Sequence, residues 1–251
     1  MPIDWIFFDM GGVLVDDEPV MLLIYRRLYE RCKQSGRFRT PEEIFGLREE
    51  LIVKGDGAHW HTAGKLLLGD DGWRQLYFEL ADELRLNYTR YNVPYSDAGG
   101  MLSWATEKFN LGLAANQFTE CRSILETHGW VDYFKVFGIS EEVGLRKPQP
   151  EFFQWVLKEA DAEPHRCIMV GDRIDNDIVP AKRLGLKTIH VQIRPDYKCL
   201  APVDDFALTY IESHKRAAMK FLAPSNDSEK PDFVAASVGE VMKSIEILTS
   251  G

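Results

Sequence analysis

An aspartate and two glycines follow the first apolar run of the chain. Residues 5–8 are all bulky and apolar, and Asp9, Gly11 and Gly12 come after them. Such a run fits a strand buried on both faces of a parallel sheet, and open α/β sheets bind ligands beyond the carboxyl ends of their strands. Glycine lets the backbone approach a ligand closely. Asp9 is therefore either a site residue at the floor of a crevice or part of an ordinary polar turn.

Three further polar clusters decide between these two interpretations. Asn116 follows the apolar run 111–115, Lys147 lies among turn residues, and Asp172 and Asp177 follow a third apolar run. The carboxyl ends of parallel strands meet at one edge of a sheet. Four polar clusters at that edge favour a functional site over four unrelated turns.

The elements that position these clusters fall into two groups. Residues 17–91 show helical periodicity and no good strand, with helices predicted over 18–32, 41–53, 59–68 and 73–86. From residue 111 onward, short apolar strands alternate with helices, which is typical of a parallel sheet. Right-handed crossovers would place these strands beside the first.

We therefore predict an α/β fold, a doubly wound Rossmann-like parallel sheet with an inserted helical cap. The core would comprise residues 1–16 and 92–251, and the cap residues 17–91. Residues 195–231 are long for a connection and are predicted to be an extra helical insertion within the core. The helix expected there has a basic stretch that fits a solvated face better than a site for an anionic partner: His214, Lys215, Arg216 and Lys220.

Composition narrows the class of protein. The net charge of −9 disfavours a nucleic-acid partner, because binding to the phosphate backbone needs a basic face. The cysteines are scattered, which favours reduced thiols in a cytoplasmic protein: Cys32, Cys121, Cys167 and Cys199. The N-terminal residues carry acidic side chains and do not form a secretory signal, and no apolar stretch is long enough to cross a membrane. Oligomerisation is possible but not predicted.

The constellation resembles the haloacid dehalogenase superfamily, whose members are mostly phosphatases. The resemblance rests on the aspartate after strand one, the small residue and asparagine at 115–116, Lys147-Pro148, and Gly171-Asp172 with Asn176-Asp177. It covers nearly the whole predicted core, and the helical insert matches a small cap of that superfamily. It implies a hydrolase acting on a small phosphorylated substrate.

The resemblance also implies roles for individual residues. Asp9 would be the nucleophile that forms an aspartyl-phosphate, and Lys147 would neutralise Asp9 and the transferring phosphoryl group. A Mg²⁺ cofactor would be held by four groups: Asp9, the carbonyl of Gly11, Asp172 and Asp177. The phosphoryl oxygens would be bound by Gly12, Ala115, Asn116 and Lys147.

Three positions depart from the pattern of this superfamily. The second aspartate that usually acts as general acid and base is Gly11, the usual threonine after the glycine is Val13, and the Ser or Thr of the second motif is Ala115. General acid catalysis is typically worth about 10²–10⁴-fold in rate. Substrates with poor alkoxide leaving groups should therefore suffer most.

Four hypotheses follow from the missing acid. A proton donor could come from elsewhere, with Asp16, Asp17, His59 and His61 as candidates. The substrates could instead be acyl or aryl phosphates, which need little protonation. The protein could be a dehalogenase-like enzyme, because halide leaves without a proton, or a silent binding module that keeps the fold.

The sequence does not identify the substrate. Specificity in this architecture rests with the cap, and four of its residues are predicted to face the crevice: His59, Trp60, His61 and Lys65.

Overall fold

The computed structural model describes residues 2–38, 40–194, 196–197, 200 and 204–250. The strands in these residues are β1 (Trp5–Phe8), β2 (Val15–Asp16), β3 (Val93–Pro94), β4 (Asn110–Ala115), β5 (Phe134–Ile139), β6 (Cys167–Gly171), β7 (Lys187–Val191) and β8 (Phe233–Ala235). The α-helices are α1 (Glu18–Gln34), α2 (Pro41–Val53), α3 (His59–Leu86), α4 (Tyr88–Tyr91), α5 (Ala98–Thr106), α6 (Arg122–Thr127), α7 (Ser140–Val143), α8 (Pro150–Glu159), α9 (Val179–Arg183), α10 (Asp205–Arg216) and α11 (Val238–Thr249).

Six strands form one parallel sheet in the order β5-β4-β1-β6-β7-β8. The strands β1, β4 and β6 are almost entirely buried, as their continuous apolar sequences predict. The order reverses beside β1, because β4 and β6 flank it. This arrangement confirms the predicted doubly wound α/β fold and places a topological switch point at the end of β1, where ligands bind in such sheets.

The chain divides into two compact units. The first, the α/β unit, comprises Met1–Asp16, Val93–Arg194 and Ala223–Gly251, and the second, the helical unit, comprises Asp17–Asn92 and Pro195–Leu222. The grouping of 195–222 differs from the sequence prediction, which placed residues 195–231 within the core. The reason is packing, since α10 lies against α2 and α1.

A buried ionic group lies inside the helical unit, and we name it the Glu18 cluster: Glu18, Tyr210, His214 and Lys220. The Glu18 carboxylate accepts hydrogen bonds from the hydroxyl of Tyr210, from His214 Nε2 at 2.8 Å and from Lys220 Nζ at 3.3 Å. All four residues are buried. The interpretation of His214 and Lys220 as part of a solvated face is therefore wrong, whereas Lys215 and Arg216 are exposed.

Local signals account for several element ends. The hydroxyl of Thr40 and the carboxylate of Glu43 form the predicted capping box at the start of α2. Helix α3 is interrupted at Gly69, whose φ of 74° separates the two helices predicted over 59–68 and 73–86. Helix α5 was missed, because its residues follow a stretch rich in turn formers.

In the part of the chain that the structure describes, no helix is long and apolar enough to cross a bilayer. Three cysteines are free and buried: Cys32, Cys121 and Cys167. Cys199 lies outside the described residues.

Candidate active site

The functional candidates lie at the carboxyl ends of adjacent strands in the α/β unit. Asp9 follows β1, and its backbone N–H continues the ladder by donating to the carbonyl of Val170 on β6 at 2.9 Å. Asn116 follows β4, and Asp172 follows β6. Because β4 and β6 flank β1, the three strand ends are neighbours at one edge of the sheet.

The ammonium of Lys147 joins two carboxylates. Lys147 Nζ lies 2.8 Å from Asp9 Oδ1 and 2.6 Å from Asp177 Oδ1, and the Lys147 side chain is fully buried. We name Asp9, Lys147, Asp172 and Asp177 the Lys147 cluster. One lysine facing several acids leaves an excess of negative charge, which a bound cation could balance.

The Asp9 carboxylate has one occupied and one open oxygen. Oδ1 accepts from the backbone N–H of Met10 at 2.8 Å and from Lys147 Nζ at 2.8 Å. Among the described residues no donor reaches Oδ2. The Asp9 side chain is 12% exposed, so it is less completely buried than that of Lys147.

Asp177 is held from two sides. Its Oδ1 binds Lys147, and its Oδ2 accepts from the backbone N–H of Arg173 at 3.0 Å. A π-helical turn, Ile174–Ile178, carries the residue. Gly171 permits this approach, since a Cβ there would lie 2.3 Å from the Cβ of Asp177.

Asp172 is held through its backbone. The carbonyl of Asp172 accepts from His190 Nε2 at 3.0 Å, and His190 is almost completely buried at the end of β7. On the other side, a Cβ on Gly12 would lie 2.4 Å from Asp172 Oδ2, and Gly12 has a φ of +67°. Glycine is thus required at position 12 both by its backbone conformation and by this close approach.

Charge and burial shift the pKa values in this cluster. Burial raises the pKa of Asp9 to about 6, although the charge of Lys147 opposes the rise, and Asp177 adds to it. Burial alone would lower the pKa of Lys147, but Asp177 and Asp9 together raise it above its ordinary value. Lys147 is therefore a permanent cation at neutral pH.

The donor set of the Lys147 cluster fits a hard divalent cation. Carboxylate oxygens of Asp9, Asp172 and Asp177 all lie within 4.8 Å of one another. Mg²⁺ prefers such oxygens and keeps several waters when it binds protein. Three acids against one lysine also have the charge that a divalent ion would offset.

The remaining predicted residues are placed as follows. Gly11 is buried and bridges to Val15 in the loop after β1, and Ala115 is the fully buried last residue of β4. Val13 is buried and apolar, so none of the three departing positions offers a side-chain donor. The side chain of Asn116 bonds the backbone of Lys147.

The candidate proton donors and cap residues already have partners. In the helical unit, His59 Nδ1 lies 2.7 Å from the Tyr25 hydroxyl, and His61 Nδ1 accepts from Trp73 Nε1 at 2.8 Å. The ring of Trp60 stacks on Tyr77, and Lys65 pairs with Asp70 at 3.2 Å. Asp16 is buried in β2, and Asp17 immediately precedes α1.

Sequence reasoning missed two residues that support the site. His190 holds the carbonyl of Asp172, and the backbone N–H of Arg173 holds Asp177. A polar residue near the end of another apolar strand, Ile189-His190, was the signal for His190. The hydrogen bond from Arg173 to Asp177 uses the backbone N–H, whereas the guanidinium of Arg173 pairs with Asp175 at 2.5 Å.

Comparisons with known proteins identify the family of this chain. A family model described as haloacid dehalogenase-like hydrolase matches residues 3–185. The chain is 40% identical over 189 residues to a glyceraldehyde 3-phosphate phosphatase from Pyrococcus abyssi, covering 73% of this chain and 79% of that protein. It is 29% identical over 253 residues to a phosphoglycolate phosphatase from Vibrio vulnificus, covering 94% of this chain and 93% of that protein. Two other curated relatives are matched over only 41% and 44% of their lengths.

The fold also has solved counterparts. The HAD-hydrolase YfnB from Bacillus subtilis, in a structure bound to magnesium, aligns with a TM-score of 0.64 at 17% identity and covers 99% of both chains. This likeness concerns the fold alone. The resemblance drawn from the motifs is confirmed by the family match: the chain belongs to the haloacid dehalogenase-like hydrolase family.

Proposed function

We propose that this protein is a Mg²⁺-dependent phosphatase that hydrolyses a small phosphorylated metabolite through an aspartyl-phosphate on Asp9. The observation that carries the proposal is the contact of one buried ammonium, Lys147 Nζ, with both Asp9 and Asp177. Relatives named as phosphatases of glyceraldehyde 3-phosphate and phosphoglycolate support the substrate class.

The proposed reaction has two steps. The open Oδ2 of Asp9 attacks phosphorus, and the bond from phosphorus to the leaving oxygen breaks, with the electron pair going to that oxygen. Water then attacks the phosphorus of the acyl phosphate, and the bond from phosphorus to Asp9 Oδ2 breaks, which regenerates the carboxylate. One proton of the water passes through solvent to the released oxyanion, and the other stays on the inorganic phosphate. Lys147 stabilises the negative charge that approaches Asp9 in both steps.

Asp9, Asp172 and Asp177, with the carbonyl of Gly11, are the proposed ligands of Mg²⁺. The ion would supply positive charge for the phosphoryl oxygens in a site that otherwise carries three carboxylates. The phosphoryl oxygens would be bound by Gly12, Ala115 and Lys147. The three described free cysteines suit a cytoplasmic protein.

Gly11 sets the expected range of substrates. Without a carboxyl group at this position, the leaving oxygen receives no proton from the residue that usually provides it. We expect aryl and acyl phosphates to react faster than alkyl phosphates, by up to about 10²–10⁴-fold for equal binding.

The test is a comparison of phosphate release from p-nitrophenyl phosphate, phosphoglycolate and glyceraldehyde 3-phosphate, with Mg²⁺ and with EDTA. Asp9→Asn should abolish turnover, and rapid acid quench of the wild type should trap a phosphate adduct on Asp9 by mass spectrometry. Equal activity of Asp9→Asn would overturn the nucleophile assignment. Metal-free chloride release from 2-chloropropionate would indicate a dehalogenase, and metal binding without any turnover would indicate a binding module.

A further inference from the structure

The side chain of Asn116 is directed at the backbone of Lys147. Asn116 Oδ1 accepts from the N–H of Lys147 at 2.8 Å, and Asn116 Nδ2 donates to the carbonyl of Lys147 at 2.9 Å. One amide thus bonds both backbone groups of a residue 31 positions further along the chain. Among the described residues, no other group bonds the backbone of Lys147.

The segment that carries Lys147 has few other restraints close to that residue. It follows α7 and Gly144, whose φ is 72°, and it makes a turn in which Gln149 bonds back to Arg146. Helix α8 begins only at Pro150. The backbone of Lys147 is therefore fixed at the end of β4 by Asn116, rather than by a strand of its own.

The other end of the same residue is equally constrained. Lys147 Nζ lies between Asp9 Oδ1 and Asp177 Oδ1, at 2.8 and 2.6 Å. A displacement of the backbone would have to be absorbed by the lysine side chain, which is completely buried. Misplacement of a catalytic group by about 1 Å can cost about 10²-fold in rate.

We infer that Asn116 is a positioning residue that acts on the reaction through Lys147, by fixing the backbone from which its ammonium reaches Asp9 and Asp177. The inference rests on the proposed role of Lys147 in phosphoryl transfer. It differs from the role implied by the family resemblance, in which Asn116 binds the phosphoryl group itself. That rival role would have to use the second hydrogen of Nδ2, which has no acceptor among the described residues.

A double-mutant cycle separates the two roles. Asn116→Ala should lower kcat by about 10²-fold with a smaller change in KM, because the contact acts through a group needed in the transition state. In a Lys147→Met background the same change should lower kcat by less than about 3-fold, because the group being positioned is gone. An equal fold-loss in both backgrounds would overturn the inference and assign Asn116 to the substrate.

Further variants serve as controls for this double-mutant cycle. Asn110→Ala changes an asparagine at the other end of β4 that accepts from Lys135, and it should leave kcat unchanged. If Lys147→Met does not fold, Lys147→Gln takes its place in the cycle.

The same cycle run on inorganic phosphate binding, by calorimetry with Mg²⁺ present, needs no turnover. Coupling between the Asn116 and Lys147 variants in phosphate affinity supports the inference, and independent losses overturn it. An active Asp9→Asn enzyme would instead refute the proposed function, which distinguishes that failure from a failure of the positioning role.

Discussion

The molecule buries two ionic clusters whose charges are arranged in opposite ways. In the Glu18 cluster of the helical unit, one carboxylate receives donors from a tyrosine, a histidine and a lysine. In the Lys147 cluster of the α/β unit, one lysine contacts two carboxylates, and a third acid lies close by. The first cluster has more donors than carboxylates, whereas the second has more carboxylates than lysines.

The pKa values of the two acids follow this difference. Burial alone would raise the pKa of Glu18, but Lys220 and His214 lower it to well below its usual range. Burial raises the pKa of Asp9 to about 6. The positive charge of Lys147 lowers this pKa, but the negative charge of Asp177 cancels part of the lowering. The two acids are buried to a similar extent, and the ratio of acids to donors accounts for the opposite directions of their pKa shifts.

Removal of Lys147 should have the largest effect. We expect Lys147→Met to reduce phosphatase activity by about 10³-fold, or about 4 kcal/mol of barrier, because among the described residues no other cation forms an ion pair with Asp9 or Asp177. Its affinity for Mg²⁺ should rise, since a competing positive charge is gone. Steady-state kinetics and metal titration measure the two effects. Lys187→Met, at a half-exposed lysine of β7, is the control and should change neither.

Removal of Glu18 should break the satisfied cluster. Glu18→Gln leaves Lys220 and His214 buried without their carboxylate, which typically costs about 3–5 kcal/mol of stability. Urea unfolding at pH 7 measures the loss. The pKa of Glu18 is lowered on folding, so its stabilising effect is full above its unfolded pKa and disappears as the pH falls toward its folded pKa. A stability difference that stays constant down to pH 2 would contradict this origin.

Asp9→Asn should stabilise the metal-free protein. The folded pKa of Asp9 is raised from 3.8 to about 6, so ionising this acid costs the folded state up to about 3 kcal/mol above pH 6. The cost falls as the pH drops through 6 and is absent below about 4. In EDTA, the variant should therefore melt above the wild type at pH 8 and together with it at pH 4. Adding Mg²⁺ at pH 8 should reverse the order.

The smallest effect is expected at an exposed ion pair of the helical unit. Glu49 bonds Arg216 at 2.7 Å, and more than half of the Arg216 side chain is exposed. Glu49→Gln should cost less than about 1 kcal/mol in the urea experiment used for Glu18. A loss of unfolding free energy as large as that of Glu18→Gln would mean that burial does not explain why the two ion pairs differ in strength.

The sequence was sufficient to predict the parallel sheet and the polar residues at the carboxyl ends of its strands. Asp9, Asn116 and Asp172 follow continuous apolar runs, and a parallel sheet brings the ends of such runs together. The order of residues along the chain was therefore enough to predict which side chains lie at this edge of the sheet. The hydrogen-bond partner of each side chain could not be predicted from this order. The sequence predicts that Asn116 binds phosphate, and in the structure its amide bonds the backbone of Lys147.

The Glu18 cluster and the place of α10 could not be predicted for a different reason. Helical periodicity marks which face of a helix is apolar, but it does not say which distant helix covers that face. The basic residues of α10 fitted a solvated surface in sequence. The packing of α10 on α1 and α2 turns His214 toward Glu18, and Lys220 reaches the same carboxylate from the segment after the helix.

The Glu18 cluster joins residues that are far apart in the sequence, so it can form only after most of the chain between them has been synthesised. Glu18 bonds Tyr210 and Lys220, which lie 192 and 202 positions later. At about 5–20 residues per second, a ribosome needs roughly 10–40 s to make that interval. The first helices of the helical unit are therefore made well before the segment whose donors compensate Glu18. A nascent chain stalled before residue 204 would be a substrate for chaperones rather than a finished unit.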